Sequence, residues 1–98
     1  MIAAVDRTPF YDWDETKRVA NIRDHKVDFT AAEEFDWNTA FICVDDREDY
    51  GELREIAIGY IGVRLHVLVF TRRAERIRII SLWKAQKKDV RRYVEDTR

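Results

Sequence analysis

Residues 55–83, EIAIGYIGVRLHVLVFTRRAERIRIISLW, decide the fold. They hold three apolar runs, Ile56 to Ile61, Val63 to Thr71 and Arg76 to Trp83, parted by Gly62 and by the polar stretch Arg72 to Glu75. Each run is rich in Ile, Val, Leu, Phe and Tyr and too short to stand alone as a helix. Short β-branched and aromatic runs with glycine or polar breaks between them predict strands joined by tight turns, here an antiparallel three-strand meander.

Successive side chains of a strand point to opposite faces, so the alternation sorts these residues. In the second run Leu65, Val67, Val69 and Thr71 share one face, and Arg64, His66, Leu68, Phe70 and Arg72 the other. In the third run Ile77, Ile79 and Ser81 fall together, opposite Arg76, Arg78, Ile80 and Leu82. Arg54, Ile56, Ile58 and Tyr60 line up in the first. One face is therefore apolar throughout, and the other is apolar in its middle with arginine near its ends. A single exposed arginine at a strand end usually keeps an edge soluble. Arg54, Arg64, Arg72 and Arg78 taken together point instead to a surface that binds phosphate.

Outside this stretch the chain is brief. Its 98 residues suit one domain with a modest core. The charged fraction, 38%, covers the surface, and no apolar run approaches the roughly 20 residues of a membrane helix. No secretion signal opens the chain. The single Cys43 excludes an internal disulfide and sits in an apolar run, as a buried inert thiol would. One Cys and two His fall short of a structural zinc site with Cys and His ligands. These features fit a cytoplasmic protein. The net charge of −1 hides a split: residues 1–49 hold six Lys and Arg against thirteen Asp and Glu, a balance of −7, and residues 50–98 hold twelve against six, a balance of +6. A basic surface built by the second half suits nucleic acid or an acidic partner, unless the two halves neutralise each other across the fold.

Pro9, Phe10, Tyr11, Asp12 and Trp13 form an aromatic lead-in that suits a short edge strand, where proline is tolerated. Asp14 caps a helix over Glu15 to Asp24. Thr30-Ala31-Ala32-Glu33 has the pattern of a capping box and opens a second helix to about Asp36. Phe41 to Val44 form a strand, Asp45 to Gly51 a charged loop, and Lys84 to Glu95 a C-terminal helix with Val90 and Val94 as an apolar pair and a basic face of Lys87, Lys88, Arg91 and Arg92. The expected architecture is α+β: an antiparallel four-stranded sheet flanked by two N-terminal helices and one C-terminal helix, in the order ααββββα, or βααβββα if the end boundaries shift.

At this point an ordered set of short motifs resembles a family. Tyr11-Asp12-Trp13-Asp14, Asn21-Ile22-Arg23-Asp24-His25, Val27-x-Phe29, Asp46-Arg47, Gly51-Glu52-x-Arg54, Ile58-Gly59, Val69-Phe70-Thr71-x-Arg73, Ile77-Arg78-Ile79-Ile80-Ser81 and Tyr93 are similar to BrnT, the toxin of bacterial type II toxin–antitoxin pairs. The resemblance runs from about residue 10 to 95. It implies a RelE-like fold and a ribonuclease that arrests translation, with no metal or organic cofactor. It also implies a BrnA-like antitoxin that neutralises the toxin, and contact with operator DNA only through that antitoxin. Two positions depart from the family pattern. Lys-His-Gly is replaced by Asp24-His25-Lys26, and Ser-Ala-Arg by Ser81-Leu82-Trp83.

RNA cleavage by side chains needs a base for the 2′-hydroxyl, cations for the phosphorane, and an acid for the leaving 5′-oxygen. Arg54, Arg64 and Arg78 are the expected phosphate and transition-state contacts, with Arg72 and Arg73 behind them. His25 and Glu52 are the candidates for acid and base, and Tyr93 for a hydroxyl aimed at the sheet. Against each stands a structural role: His25 as a helix C-cap, Glu52 as an ion-pair partner of Arg54, Tyr93 as an anchor of the last helix. His66 reads as a packed sheet residue. Trp83 removes the family's arginine but offers a ring to stack on a base, and Lys84, Lys87 and Lys88 lie nearby to meet phosphates. The alternative is a weakened homologue that serves only as an antitoxin-binding module.

Overall fold

A computed structural model describes residues 9–98. The meander forms as the alternation predicts: β3 (Glu55–Ile61), β4 (Arg64–Arg73) and β5 (Arg76–Lys84) pair antiparallel, and β2 (Phe41–Val44) adds antiparallel to β3. Each hairpin turns on two residues, Gly62-Val63 and Ala74-Glu75, with the first of each at positive φ.

The four-stranded antiparallel expectation is corrected by a fifth strand. The aromatic lead-in is β1 (Phe10–Trp13), which pairs in parallel with β5, so the sheet is mixed and ordered β1-β5-β4-β3-β2. Tyr11 and Trp13 turn onto the core beside Ile77 and Ile79, and this burial holds β1 to a strand far along the chain. No local pattern could disclose that pairing.

A bulge in β5 corrects the expected parity. Phe70 pairs with Ile79 while Val69 pairs with Ser81, leaving Ile80 extra. Leu82 therefore joins Ile77 and Ile79 on one face, and Ser81 and Trp83 follow Thr71 and Arg78 onto the other.

The first face is covered by α1 (Glu15–His25) and by a 3-10 helix, Phe29–Glu34, where a second α-helix was expected. The buried residues explain the tighter winding. Phe29, Ala32 and Phe35 recur every three residues, the period of a 3-10 helix, and all three enter the core. Asp28, rather than Thr30, caps it by accepting from the Thr30 N–H. Asp14 caps α1 as expected, accepting from Thr16 N–H at 2.7 Å. Lys26 ends α1 in the left-handed conformation, φ 61°, which glycine adopts most readily, and its Nζ donates to the Arg23 carbonyl at 2.8 Å.

The second face carries Ile56, Ile58, Leu65, Val67 and Val69 under α2 (Lys87–Thr97). This helix starts later than expected because Lys84 completes β5. Gln86 and Asp89 form its capping box. Among the described residues no helix is long and apolar enough to cross a membrane.

Candidate functional site

β4 brings two different charge environments to its two ends. At the Arg72 end, where β4 turns into β5, arginines and carboxylates interlock. Arg72 Nε donates to Glu55 at 2.8 Å, and Glu55 is only 3% exposed. Glu52 accepts from Arg54 at 3.1 Å and from Arg73 at 3.3 Å. These bonds, Arg54's first, hold the Glu52 carboxyl below its ordinary range, so it is a weak base. The Arg54 guanidinium also lies 4.1 Å over the Tyr50 ring. Asp12 on β1 stands between Arg78, 3.5 Å away, and Arg76, 3.7 Å away.

The opposite end is organised by Arg64, Lys84 and two histidines. Arg64 is exposed and has no carboxylate partner among the described residues, in contrast to Arg54, Arg72, Arg73, Arg76 and Arg78. Lys84 lies across from His66 in the β4–β5 ladder. His66 Nδ1 is 2.9 Å from the Arg64 carbonyl oxygen. Burial pushes the His66 pKa down, the bond to Arg64 opposes this, and the charges of Arg64 and Lys84 push it further down. A neutral His66 that donates from Nδ1 fixes the backbone beneath Arg64.

Trp83 follows on the α2 face. Its ring centroid is 5.6 Å from that of His25, tilted by 34°, and its Nε1 donates to Asp89 at 3.4 Å. His25 reaches it because α1 ends beside β5. That junction is built by Asn21, which sequence reasoning passed over. β1 stops pairing at Trp13 opposite Ile79, leaving the rest of that β5 edge open. Asn21, buried, fills the gap: its Nδ2 donates to the carbonyls of Leu82 at 2.7 Å and Val27 at 2.9 Å, and its Oδ1 accepts from Leu82 N–H at 3.1 Å. The available signal was an asparagine inside a helix, a residue usually placed at caps.

The expected single patch of arginines beside the last helix is thus not what forms. Arg54, Arg72, Arg73 and Arg78 gather with Glu52 at one end of the sheet. At the other end strand parity puts Arg64 and Lys84 on the face of Leu68 and Leu82, while Trp83, on the opposite face, meets His25, and Lys87 and Lys88 follow in the first turn of α2. Eight residue steps along β4 separate Arg64 from Arg72, about 26 Å at the rise of an extended strand. The parity pattern was sound for Arg64 and Arg72, but they share a face, not a place. Tyr93 takes its structural role, donating its hydroxyl to the Thr39 carbonyl at 2.8 Å and packing edge-on against Tyr60.

Comparison with known proteins bears on this geometry. None of the curated proteins matches the sequence. Among solved structures, the Brucella abortus ribonuclease toxin BrnT is similar, with a TM-score of 0.63 and 26% identity, over 80% of this chain and 99% of that one. The profile of a family described as the ribonuclease toxin, BrnT, of type II toxin–antitoxin systems matches residues 13–89. That match runs from the last residue of β1 to the first turn of α2 and so includes both ends of β4; the chain belongs to the BrnT family of ribonuclease toxins.

Proposed function

We propose that the whole chain acts as one unit, a cytoplasmic, RelE-like endoribonuclease that cleaves RNA with side chains alone, arrests translation and is held inactive by a BrnA-like antitoxin, itself the link to operator DNA. The observation that carries the placement of the site is the unpaired Arg64 beside Lys84 and His66. An arginine already bound to a carboxylate must give up that bond before it can take a phosphate, and among the described residues Arg64 has none to lose. In this reading Arg64 binds the scissile phosphate and stabilises the charge that develops on it. Lys84, Lys87 and Lys88 hold the neighbouring phosphates, and Trp83 with His25 offers a flat aromatic surface to a base. His25, exposed at the end of α1, is the base: it draws the proton from the 2′-hydroxyl, whose oxygen bonds to phosphorus as the P–O5′ bond breaks, and the 5′-oxygen leaves as a hydroxyl with a proton taken from water, leaving a 2′,3′-cyclic phosphate. Arg54, Arg72, Arg73, Arg78 and Glu52 stabilise the other end of the sheet.

The test is cleavage of naked RNA by the purified chain. Native protein is expected to cut and Arg64→Ala to cut at least about 100-fold more slowly with its fold intact, the scale of losing one transition-state donor. Equal rates would move the site to the Arg72 end. A second reading is favoured by Trp83, which stands where the family pattern has arginine and whose Nε1 is held by Asp89: a non-catalytic module that only binds the antitoxin. No cleavage by native protein, with tight antitoxin binding, would select it.

A further inference from the structure

α2 leaves its two valines at the margin of its contact with the sheet, both largely exposed. The side that packs inward is polar or aromatic: Asp89 holds Trp83 and the Gln86 N–H, Tyr93 packs on Tyr60, and Arg92 lies over Phe41 and against Cys43. Val90 is 39% exposed and Val94 51%. At the tip of the β3–β4 turn Val63 is 99% exposed. Neither the turn nor the helix needs valine at these positions. Gly62 supplies the positive φ of the turn, and β-branched residues are weak helix formers. Tyr60, Val63, Arg64, Leu65, Ala85 and Val90 line one shallow groove of about 380 Å³.

The charge around this groove has one sign for the most part. Helical spacing puts Lys87, Arg91 and Arg98 on the face of Val90 and Val94, with Glu95 the one acid beside Arg91. Arg64 stands on the groove wall, and neither it, Lys87 nor Arg91 has an ion-pair partner among the described residues. An apolar slot rimmed by unpaired cations complements an amphipathic segment with an apolar stripe and acidic flanks.

We propose that this groove is the docking site for an acidic amphipathic helix of a protein partner. The partner's apolar residues fill the slot between Val63 and the Val90–Val94 stripe, and its carboxylates meet Arg64, Lys87 and Arg91. Resting on the reading of Arg64 as the phosphate contact, such a partner silences the enzyme by covering that arginine, with no change in fold.

The probe is a synthetic helical peptide with leucines at i, i+3, i+4 and i+7 and glutamates on either side. Binding to the full chain is measured by calorimetry. It is expected to weaken about tenfold in a Val63→Asp, Val94→Asp double variant and to weaken further in high salt. The same peptide with lysines for glutamates is expected not to bind. The double variant should cut RNA as native protein does and resist inhibition by the acidic peptide. Equal binding of the lysine peptide, or unchanged binding by the double variant, overturns the proposal. So does a concentration-dependent dimer that the double variant abolishes, which gives the groove to a second copy, or loss of RNA binding in the double variant, which gives it to substrate. Absence of RNA cleavage in native protein sinks the functional reading alone, since peptide binding is read independently.

Discussion

The two ends of β4 carry the same side chain in opposite circumstances. Arg72 is locked to Glu55, within a cluster where Glu52 and Asp12 hold four further arginines. Arg64 projects from the other end beside Lys84 and over a buried His66. A guanidinium's value to a ligand depends on what it must release first. The Arg72 cluster is a stabilising device, and the Arg64 end holds positive charge in reserve.

Exchanging the two lesions breaks this comparison most directly. Arg64→Ala should cut RNA cleavage at least about 100-fold and leave stability nearly untouched, because an exposed unpaired arginine contributes little to folding. Arg72→Ala should do the reverse. It strips a partner from a carboxylate that is almost wholly buried, at about 2 kcal/mol, or roughly 10 °C of melting temperature for a domain of this size. Cleavage per folded molecule should hold. Thermal denaturation beside the RNA assay reads both, and the opposite pattern would assign the chemistry to the Arg72 end.

Asn21→Ala sharpens the same contrast from the edge of β5. It leaves the Leu82 amide and two carbonyls without their side-chain partner, and should cost about 2 kcal/mol. It also frees the end of α1 from β5, so cleavage should fall further than the folded fraction does. A rate that tracks the folded fraction alone would make Asn21 purely structural.

A smaller effect is expected from pH. The folded-state pKa of His66 is depressed, so below the ordinary histidine value the unfolded chain takes up a proton that the folded chain resists. Stability should therefore fall as pH drops from 7 through the mid-sixes, until the folded-state pKa is passed. In His66→Gln this part of the slope should vanish. An unchanged slope in urea titrations at pH 7 and pH 5.5 would show that His66 is not held neutral.

What the sequence disclosed follows from range. β2 to β5 were legible because each strand and turn is a local pattern, and the ordered motifs of the chain disclosed the family. The parallel pairing of β1 with β5 is non-local, and the Ile80 bulge changes parity without any glycine or proline to mark it. The second helix was misread because the Phe29, Ala32, Phe35 spacing was passed over for a capping pattern. For the site, Arg64 and Arg72 were rightly given one face. Their separation along it, and the carboxylates from β1, the β2–β3 loop and the start of β3 that pair, among the described residues, with all but one of the sheet's candidate arginines, are facts of tertiary structure. Trp83 was read as a departure from the family pattern and as a ring to stack on a base, but its contact with His25 depends on Asn21 docking α1 to an open edge.

The two hairpins that bound β4 offer the last and smallest test. Both are two-residue turns whose first residue has positive φ: Gly62, at 61°, beside Arg64, and Ala74, at 53°, beyond Arg73. Glycine adopts this conformation without strain, whereas an L-residue with a Cβ pays about 1 kcal/mol. Gly62 therefore serves its turn freely, and the turn at the Arg72 end is strained. Ala74→Gly removes the strain but gives the unfolded chain more freedom, which offsets part of the gain. The net should be about 0.5 kcal/mol of added stability, seen as a rise in the urea midpoint at constant slope, with RNA cleavage unchanged because the turn lies at the far end from Arg64. The mirror change, Gly62→Ala, should destabilise by a similar amount. If Ala74→Gly lowered stability, the positive φ at that turn would be wrong; if it altered cleavage, the functional separation of the two ends would be.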